Sequence, residues 1–475
     1  MSAIEPAPSR IARLVKAPEA PPHAVRRVLP ALAVCLVLAA CAAYTPRDLP
    51  KGADLAASPL RLTADVSQLR LTPLKAHRFD PAGGLDPTDV AILAVLNNPD
   101  LKAARAQAGV ASAQAFSAGL LPDPQVSVTV DVPVDPVNPT AYNVTPSLDL
   151  MTLVTHSAAL KSAKASAVKA DLNLLWSEWS TAQQARQLAV TALANEEKSG
   201  VLTILAKRLG ERYARSKAAM DRGDATAPTA GADLAAKLDV EAALATAEHD
   251  AAKARGGLNA LLGLEPGVRL NLVYGAPVLD PTPAAFEKAA AVLPERRPDL
   301  LALKAGYGAQ DANLRKAIIA QFPILNLGFS RASDTSGVAT NGLAATFVIP
   351  IFNRGRGEIA IQSATREQLR AEYQARLDQA VADIAAARRE REAARALSGS
   401  LQAEVPSLMA TAALAQGPYR RGDIDSAAFL AIEQAALTHQ VALLDQRLAF
   451  ALAGISLESV LFLPFDPPSD AGTRP

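Results

Sequence analysis

Pro99-Asp100-Leu101-Lys102-Ala103-Ala104-Arg105-Ala106 returns 199 residues later as Pro298-Asp299-Leu300-Leu301-Ala302-Leu303-Lys304-Ala305. Read on without gaps, Gly109, Ala113, Ala118 and Pro124 fall on Gly308, Ala312, Ala317 and Pro323. The same offset lays Leu150-Met151-Thr152-Leu153 over Ile349-Pro350-Ile351-Phe352, and Arg222-Gly223-Asp224 over Arg421-Gly422-Asp423. Upstream, Leu85-Asp86-Pro87-Thr88 matches Leu279-Asp280-Pro281-Thr282 after a small indel. One offset held over so long a stretch marks a duplication. Its period far exceeds that of solenoid repeats, so each half is a domain in its own right. The halves span 85–263 and 264–463.

Both halves read the same way. A helix runs from Leu101 to about Leu121, and from Leu300 to about Ala320. Past a proline comes strict alternation. Val126, Val128 and Val130 alternate with Ser127, Thr129 and Asp131; Leu325, Leu327 and Phe329 alternate with Asn326 and Ser330. Period two means a strand with one apolar and one polar face. Strands are expected near 125–134 and 143–153, and near 324–331 and 343–352. At about ten residues, such strands are long enough to cross a bilayer at a tilt.

A long helical hairpin follows in each half, over 156–262 and over 353–461. Apolar residues recur at steps of three and four at Leu172, Leu175, Trp179, Ala182, Ala189 and Leu193, which is coiled-coil spacing. Tyr373, Leu377, Ala380, Ile384, Ala387 and Ala394 do the same in the second half, with Arg186 and Arg391 interrupting the two seams. About 65 residues of helix reach on the order of 100 Å. Gly223-Asp224 and Gly422-Asp423 punctuate the turns between outgoing and returning helices.

Composition agrees with long, closely packed helices. Alanine fills roughly one position in five, and aromatics make up only 4 % of 475 residues. A formal net charge of +1 gives no electrostatic footprint for nucleic acid. The two cysteines, Cys35 and Cys41, both lie in the amino-terminal segment. Arg26-Arg27, a short apolar run and Leu38-Ala39-Ala40-Cys41 read as a secretory signal over 1–40. The apolar run is too short to span a bilayer. Leu-Ala-Ala-Cys resembles a bacterial lipobox, which implies lipidation at Cys41, an extended arm over 41–84 and an outer-membrane address from Ala42. Residues 464–475 read as a loose tail. Without its first 40 residues the chain is formally −2.

No catalytic constellation is written here. His23, His77, His156, His249 and His439 show no His-Glu-x-x-His spacing, and there is neither a phosphate loop nor a nucleophile elbow. No enzyme activity, cofactor or metal site is expected.

Asn98-Pro99-Asp100-Leu101, Arg297-Pro298-Asp299-Leu300, the run Ile349 to Gly355, Tyr419-Arg420-Arg421-Gly422-Asp423 and Ala453-Gly454 to Leu461 together resemble the TolC family of outer-membrane efflux proteins. The likeness is to its lipoprotein branch, which serves resistance-nodulation-division (RND) pumps. The resemblance implies a mainly α fold with a small β part and two tandem repeats. It implies a homotrimer whose protomers each give four strands to one 12-stranded transmembrane β-barrel, continued by a periplasmic α-barrel. Val126, Val128, Val130, Leu325, Leu327 and Phe329 would meet outer-membrane lipid. Ser127, Thr129, Asp131, Asn326 and Ser330 would line the pore. Conduction would be passive, with an inner-membrane RND-type pump and a periplasmic adaptor as partners. The gate candidates are Asp221, Arg222 and Asp224 on the first tip, and Tyr419, Arg421, Asp423 and Asp425 on the second, with Arg–Asp pairs holding the tips together. Ala428 and Ala431 stand where some members carry a pair of aspartates. A lipid-anchored coiled-coil scaffold without a pore, and the outer channel of a type I protein secretion system, are the alternatives.

Overall fold

The computed structural model describes residues 44–80, 83–135, 137–275, 283–322, 324–348 and 351–462. Cys41, the expected signal segment, the 279–282 copy of the repeat, Pro323, Ile349-Pro350 and the tail lie outside them. The chain divides into two units, Met1–Asp54 and Leu55–Pro475. Residues 44–54 of the first contain no helix or strand.

The second unit opens with two short 3-10 turns, Pro59–Arg61 and Val66–Gln68, and helix α1 (Thr72–Ala76). Then come α2 (Pro87–Asn97), α3 (Pro99–Ser117), β1 (Gln125–Asp131), β2 (Ala141–Asp149), α4 (Leu150–Asp221) and α5 (Ala227–Leu262). The second repeat runs α6 (Pro283–Ala291), α7 (Leu293–Arg296), α8 (Pro298–Ile319), β3 (Ile324–Ser333), β4 (Ala339–Val348), α9 (Arg356–Arg421) and α10 (Ser426–Leu461). The mainly α fold with four strands and two repeats is the one the sequence implies.

Several boundaries move for local reasons. Leu150 to Leu153 were expected in a strand and form the first turn of α4. The Asp149 carboxylate accepts from the amides of Met151 (2.8 Å) and Thr152 (3.2 Å), so the helix starts directly on the strand. In the second repeat the strand ends at Val348, short of the expected 352. Arg354 (φ 49°) and Gly355 (φ 66°) turn the chain through the left-handed region before α9. Pro406 and Pro418 both lie inside α9, whereas α4 contains no proline. Part of the expected amino-terminal arm is bound to the core. Leu69, Leu71 and Leu74 are buried there, and Ala56 pairs with Leu264.

The largest apolar cluster gathers these leucines, the all-round apolar helix α2, Trp179 and the Ala182/Ala185/Ala189 stripe of α4, and Leu258 and Leu262 of α5. A second cluster joins Leu300 of α8, Ala380, Ile384 and Ala387 of α9, and Leu457 and Leu461 of α10. A third, Leu205, Leu209 and Leu437 with Val201, Ala236, Val240 and Met409, ties all four long helices together toward the tips.

The arginines that interrupt the seams are buried with partners. Arg186 pairs with Glu458, and the Arg391 guanidinium lies 4.5 Å from the centre of the Phe450 ring. Lys198–Asp445 (2.8 Å) and Arg208–Glu433 (3.2 Å) continue the ladder between α4 and α10. By length and composition α10 is apolar enough to cross a membrane. Its ion pairs with α4 place it instead in the helical seam.

Candidate functional site

The four strands form one antiparallel sheet in the order β1-β2-β3-β4. Register assigns the side chains. Val126 pairs with Pro146, Val128 with Val144 and Val130 with Tyr142; Val144 pairs with Arg331 and Leu148 with Leu327. Leu325 pairs with Phe347, Leu327 with Ala345 and Phe329 with Leu343. Directly opposed residues share a face. All six residues expected to meet lipid therefore stand on one face, joined by Tyr142, Val144, Leu343 and Phe347. Ser127, Thr129, Asp131, Asn326 and Ser330 stand on the other, with Asn143, Thr145, Ser147 and Thr346.

Among the described residues nothing covers the apolar face. Val126 is 62 % exposed, Val128 61 % and Leu343 91 %. Leaving such a patch in water is unfavourable, so it marks a surface for another apolar phase. Among the described residues the outer edges of β1 and β4 carry no further strand. Phe116, Leu120, Leu121, Phe322 and Phe352, close in sequence to the joins between helix and strand, are exposed as well.

At the far ends of the hairpins the two tips repeat each other. Gly223 and Gly422 both take φ 82° after the last turn of α4 and α9. A Cβ there would be strained, so glycine ends both helices. Arg222 Nε reaches Asp224 Oδ2 at 3.0 Å, and Arg421 Nε reaches Asp423 Oδ2 at 2.9 Å. Each pair closes on its own turn. Within the protomer each of these Arg–Asp pairs fastens a tip to itself and does not join one tip to the other. All four side chains are more than half exposed, which limits each pair to about 0–1 kcal/mol. Asp425 caps α10, accepting from Ala428 N at 2.6 Å, and the Tyr419 ring stacks flat on Phe429 at 4.7 Å. Asp221 ends α4, exposed.

One joint at the base of the second repeat was not foreseen. Arg297 holds both carboxylate oxygens of Asp299 at 2.8 and 3.0 Å, and Arg376 of α9 takes the same carboxylate at 2.7 Å. Both guanidiniums lie over the Trp176 ring, at 4.7 and 5.8 Å. The sequence signal was the Arg-Pro-Asp-Leu motif itself, whose arginine replaces Asn98 of the first repeat.

One group among the described residues has metal-ligand composition: His77, Asp86 and Asp89. Its carboxylates are spoken for. Asp86 caps α2, accepting from Thr88 N (2.7 Å) and Asp89 N (2.8 Å), and Asp89 accepts from Asp86 N while facing His77 at 3.2 Å. That is a capping box with a histidine lid.

No protein-family model and no curated protein matches the chain. Solved structures do. The CmeC outer membrane channel of Campylobacter jejuni shares 16 % identity at a TM-score of 0.68, over 90 % of this chain and 96 % of that one. The MtrE outer membrane channel of Neisseria gonorrhoeae, in its open state, shares 17 % at 0.64, over 79 % and 89 %. CusC, described in terms of folding and transmembrane channel formation, shares 18 % at 0.64, over 82 % and 95 %. The chain has the fold of these outer-membrane channels, the TolC-like fold.

Proposed function

We propose, from this TolC-like fold, that the chain is the outer-membrane channel of a tripartite efflux system, conducting substrates passively. The observation that carries the reading is the four-stranded sheet, apolar on one face, polar on the other and, among the described residues, unpaired at both outer edges. A bilayer tolerates no open sheet edge, because unpaired backbone groups there cost several kcal/mol each. Closure with further copies removes the edges, and we take a homotrimer as the closed form. Val126, Val128, Val130, Leu325, Leu327 and Phe329 then face lipid. Ser127, Thr129, Asp131, Asn326 and Ser330 face a watery lumen. The long hairpins extend the conduit through the periplasm toward an adaptor and an inner-membrane RND-type pump, which supplies the energy. A lipid on Cys41 anchors each chain. Asp221, Arg222, Asp224, Tyr419, Arg421, Asp423 and Asp425 shape the periplasmic opening.

The test is single-channel conductance of the purified protein in planar bilayers, with its mass in detergent measured on the same preparation. A trimer with discrete openings is expected. A monomer without conductance would leave the lipid-anchored scaffold as the better reading.

A further inference from the structure

The two hairpins of the sheet carry opposite charge. Residues 116–157, from the end of α3 to the start of α4, hold Asp123, Asp131, Asp135 and Asp149 and no lysine or arginine. The matching residues of the second repeat, 315–356, hold Arg315, Lys316, Arg331, Arg354 and Arg356 against Asp334 alone. The first window is formally −4 and the second +4. Within the sheet the two signs also take different faces. Asp131 and Asp149 stand on the polar face, whereas Arg331 pairs with Val144 on the apolar one.

Four of the five cations meet at one corner, where α8 leads into β3 and β4 leads into α9. A Cβ added to Gly355 would stand 3.7 Å from Gln321 Cα and 3.9 Å from the Ala317 carbonyl oxygen. Arg354 and Arg356 flank that glycine, and Arg315 and Lys316 immediately precede Ala317. All four are exposed. Arg315 meets Asp311 at 3.0 Å, a carboxylate it shares with Arg366. Glu358 is taken by the Gln362 amide at 2.6 Å. Among the described residues no carboxylate pairs with Lys316, Arg354 or Arg356.

Apolar side chains accompany these charges. Arg315, Ile318 and Phe322 follow at steps of three and four, so they share one side of α8 and the turn that ends it. Phe322 is 61 % exposed, and Phe352, two residues before Arg354, is 94 % exposed. Exposed phenylalanine beside unpaired cations suits neither bulk water nor hydrocarbon. It suits the boundary between them, where long cationic side chains bury their stems and lift their heads to phosphate.

We infer that this corner docks the headgroup of an anionic phospholipid in the leaflet facing the periplasm, and that the matching corner of the first repeat does not. This rests on the channel reading above, which sets the helix-bearing ends of the strands at that leaflet. Arg315 lies about 6 Å of helix before the last residue of α8, and the headgroup layer is about 5–7 Å deep, so its side chain reaches it. Charge names the ligand. Three cations without a carboxylate call for a phosphodiester without a compensating ammonium, as in phosphatidylglycerol. At the matching positions of the first repeat stand Phe116, Ser117, Thr155 and Ser157, with Asp149 capping the helix. That corner keeps apolar contact and offers no cation.

The test is native mass spectrometry of the full-length protein, with phosphatidylglycerol and phosphatidylcholine of identical acyl chains added in equal amounts. Phosphatidylglycerol should be retained in preference, and raised ammonium acetate should weaken that preference. Lys316→Ser with Arg354→Asn and Arg356→Ser should lower it about fivefold for each cation removed. Asparagine accepts the left-handed backbone of Arg354 (φ 49°). Arg315→Gln with Lys316→Gln, on exposed helix surface, tests the same corner should the first variant fail to fold. Arg331→Gln, toward the other end of the strands, is the control and should keep the full preference. Equal retention of the two lipids by the unaltered protein overturns the inference. So does full preference in both corner variants, an equal loss in Arg331→Gln, or displacement of the lipid by inorganic phosphate, which would mark a free-anion site. Conductance of the same preparation separates the two readings. A protein that selects the anionic lipid and never conducts sinks the channel and keeps the site; a conducting protein without lipid preference sinks the site and keeps the channel.

Discussion

The side-chain amide of Asn98 donates to the carbonyl of Leu261 at 2.9 Å, closing the base of the first hairpin. One repeat later Arg297 reaches the carbonyl of Val460 at 3.5 Å, across the same 163 residues. Position and partner were kept after duplication while the donor changed from amide to guanidinium. Asn98 also caps α3, accepting from Leu101 N at 2.9 Å. Arg297 instead takes on the Asp299 carboxylate. The two substitutions should differ accordingly. Asn98→Ala is expected to cost about 1–2 kcal/mol through the lost cap and carbonyl bond. Arg297→Ala breaks a buried charged network and is expected to cost about 3–5 kcal/mol. Denaturant midpoints of the two variants check the order.

The sheet gives a paired prediction. Val128→Lys on the apolar face should destabilise the membrane-inserted protein by about 2–4 kcal/mol, the cost of a cation near the bilayer midplane. Thr129→Lys, one residue on and on the other face, should leave stability within about 1 kcal/mol and lower the permeability to cations relative to anions. Equal destabilisation of both would reject the assignment of faces.

At the end of α10, Phe462 holds φ 52° and ψ 46°, the conformation that Gly263 supplies at the matching end of α5. A phenylalanine in this region costs about 1 kcal/mol or more in local strain. It is held there by Trp179, whose ring centre lies 4.6 Å away and whose indole donates to Ser459 O at 3.0 Å. Phe462→Ala should therefore be the worst small substitution. Phe462→Gly should recover about 1 kcal/mol of the loss, since glycine accepts the backbone without strain. Thermal midpoints in detergent decide it, and a glycine variant less stable than the alanine one would refute the strain.

Partial burial and a 2.9 Å hydrogen bond to Glu197 hold the Tyr274 phenol well above its ordinary value. A group raised on folding stabilises in full below its unfolded pKa, about 10 for tyrosine, and loses that contribution as pH climbs toward the folded value. Stability should thus fall above about pH 10, and Tyr274→Phe should flatten this limb of the profile while leaving pH 7–9 alone.

At the second tip, Arg421→Ala with Asp423→Ala should leave the unfolding midpoint nearly unchanged, because an exposed pair contributes about 0–1 kcal/mol. Single-channel conductance should rise if these charges narrow the opening. Unchanged conductance would remove them from the gate.

Much of this was legible in the residues. Alternation in Val126 to Asp131 and Leu325 to Ser330 sorts the side chains of β1 and β3 into two sets, because the period of two depends on nothing distant. The seams were legible too, through Trp179, Ala182, Ile384 and Ala387. What escaped were choices among partners. Arg186 and Arg391 look like faults in a seam until Glu458 and Phe450 arrive from a helix far along the chain. The tip arginines had carboxylates on both tips to choose from, and the one two residues on, across the glycine, won. Asp149 reads as one more polar strand residue, yet its side chain bonds forward and makes it a cap.

The prolines of α9 carry a last consequence. Neither Pro406 nor Pro418 has an amide hydrogen, so the carbonyls of Gln402 and Leu414 lose their usual donors one turn earlier. The outer end of α9 is therefore bound to the rest of its helix by fewer backbone bonds than the matching end of α4. Opening it breaks less, so its amides should exchange with deuterium sooner than those of residues 201–221. Two helices of common descent thus differ in the expected lifetime of their outer ends. The duplicated chain keeps one stiff upright and one that yields near its end, and that asymmetry is fixed by covalent structure before any partner arrives.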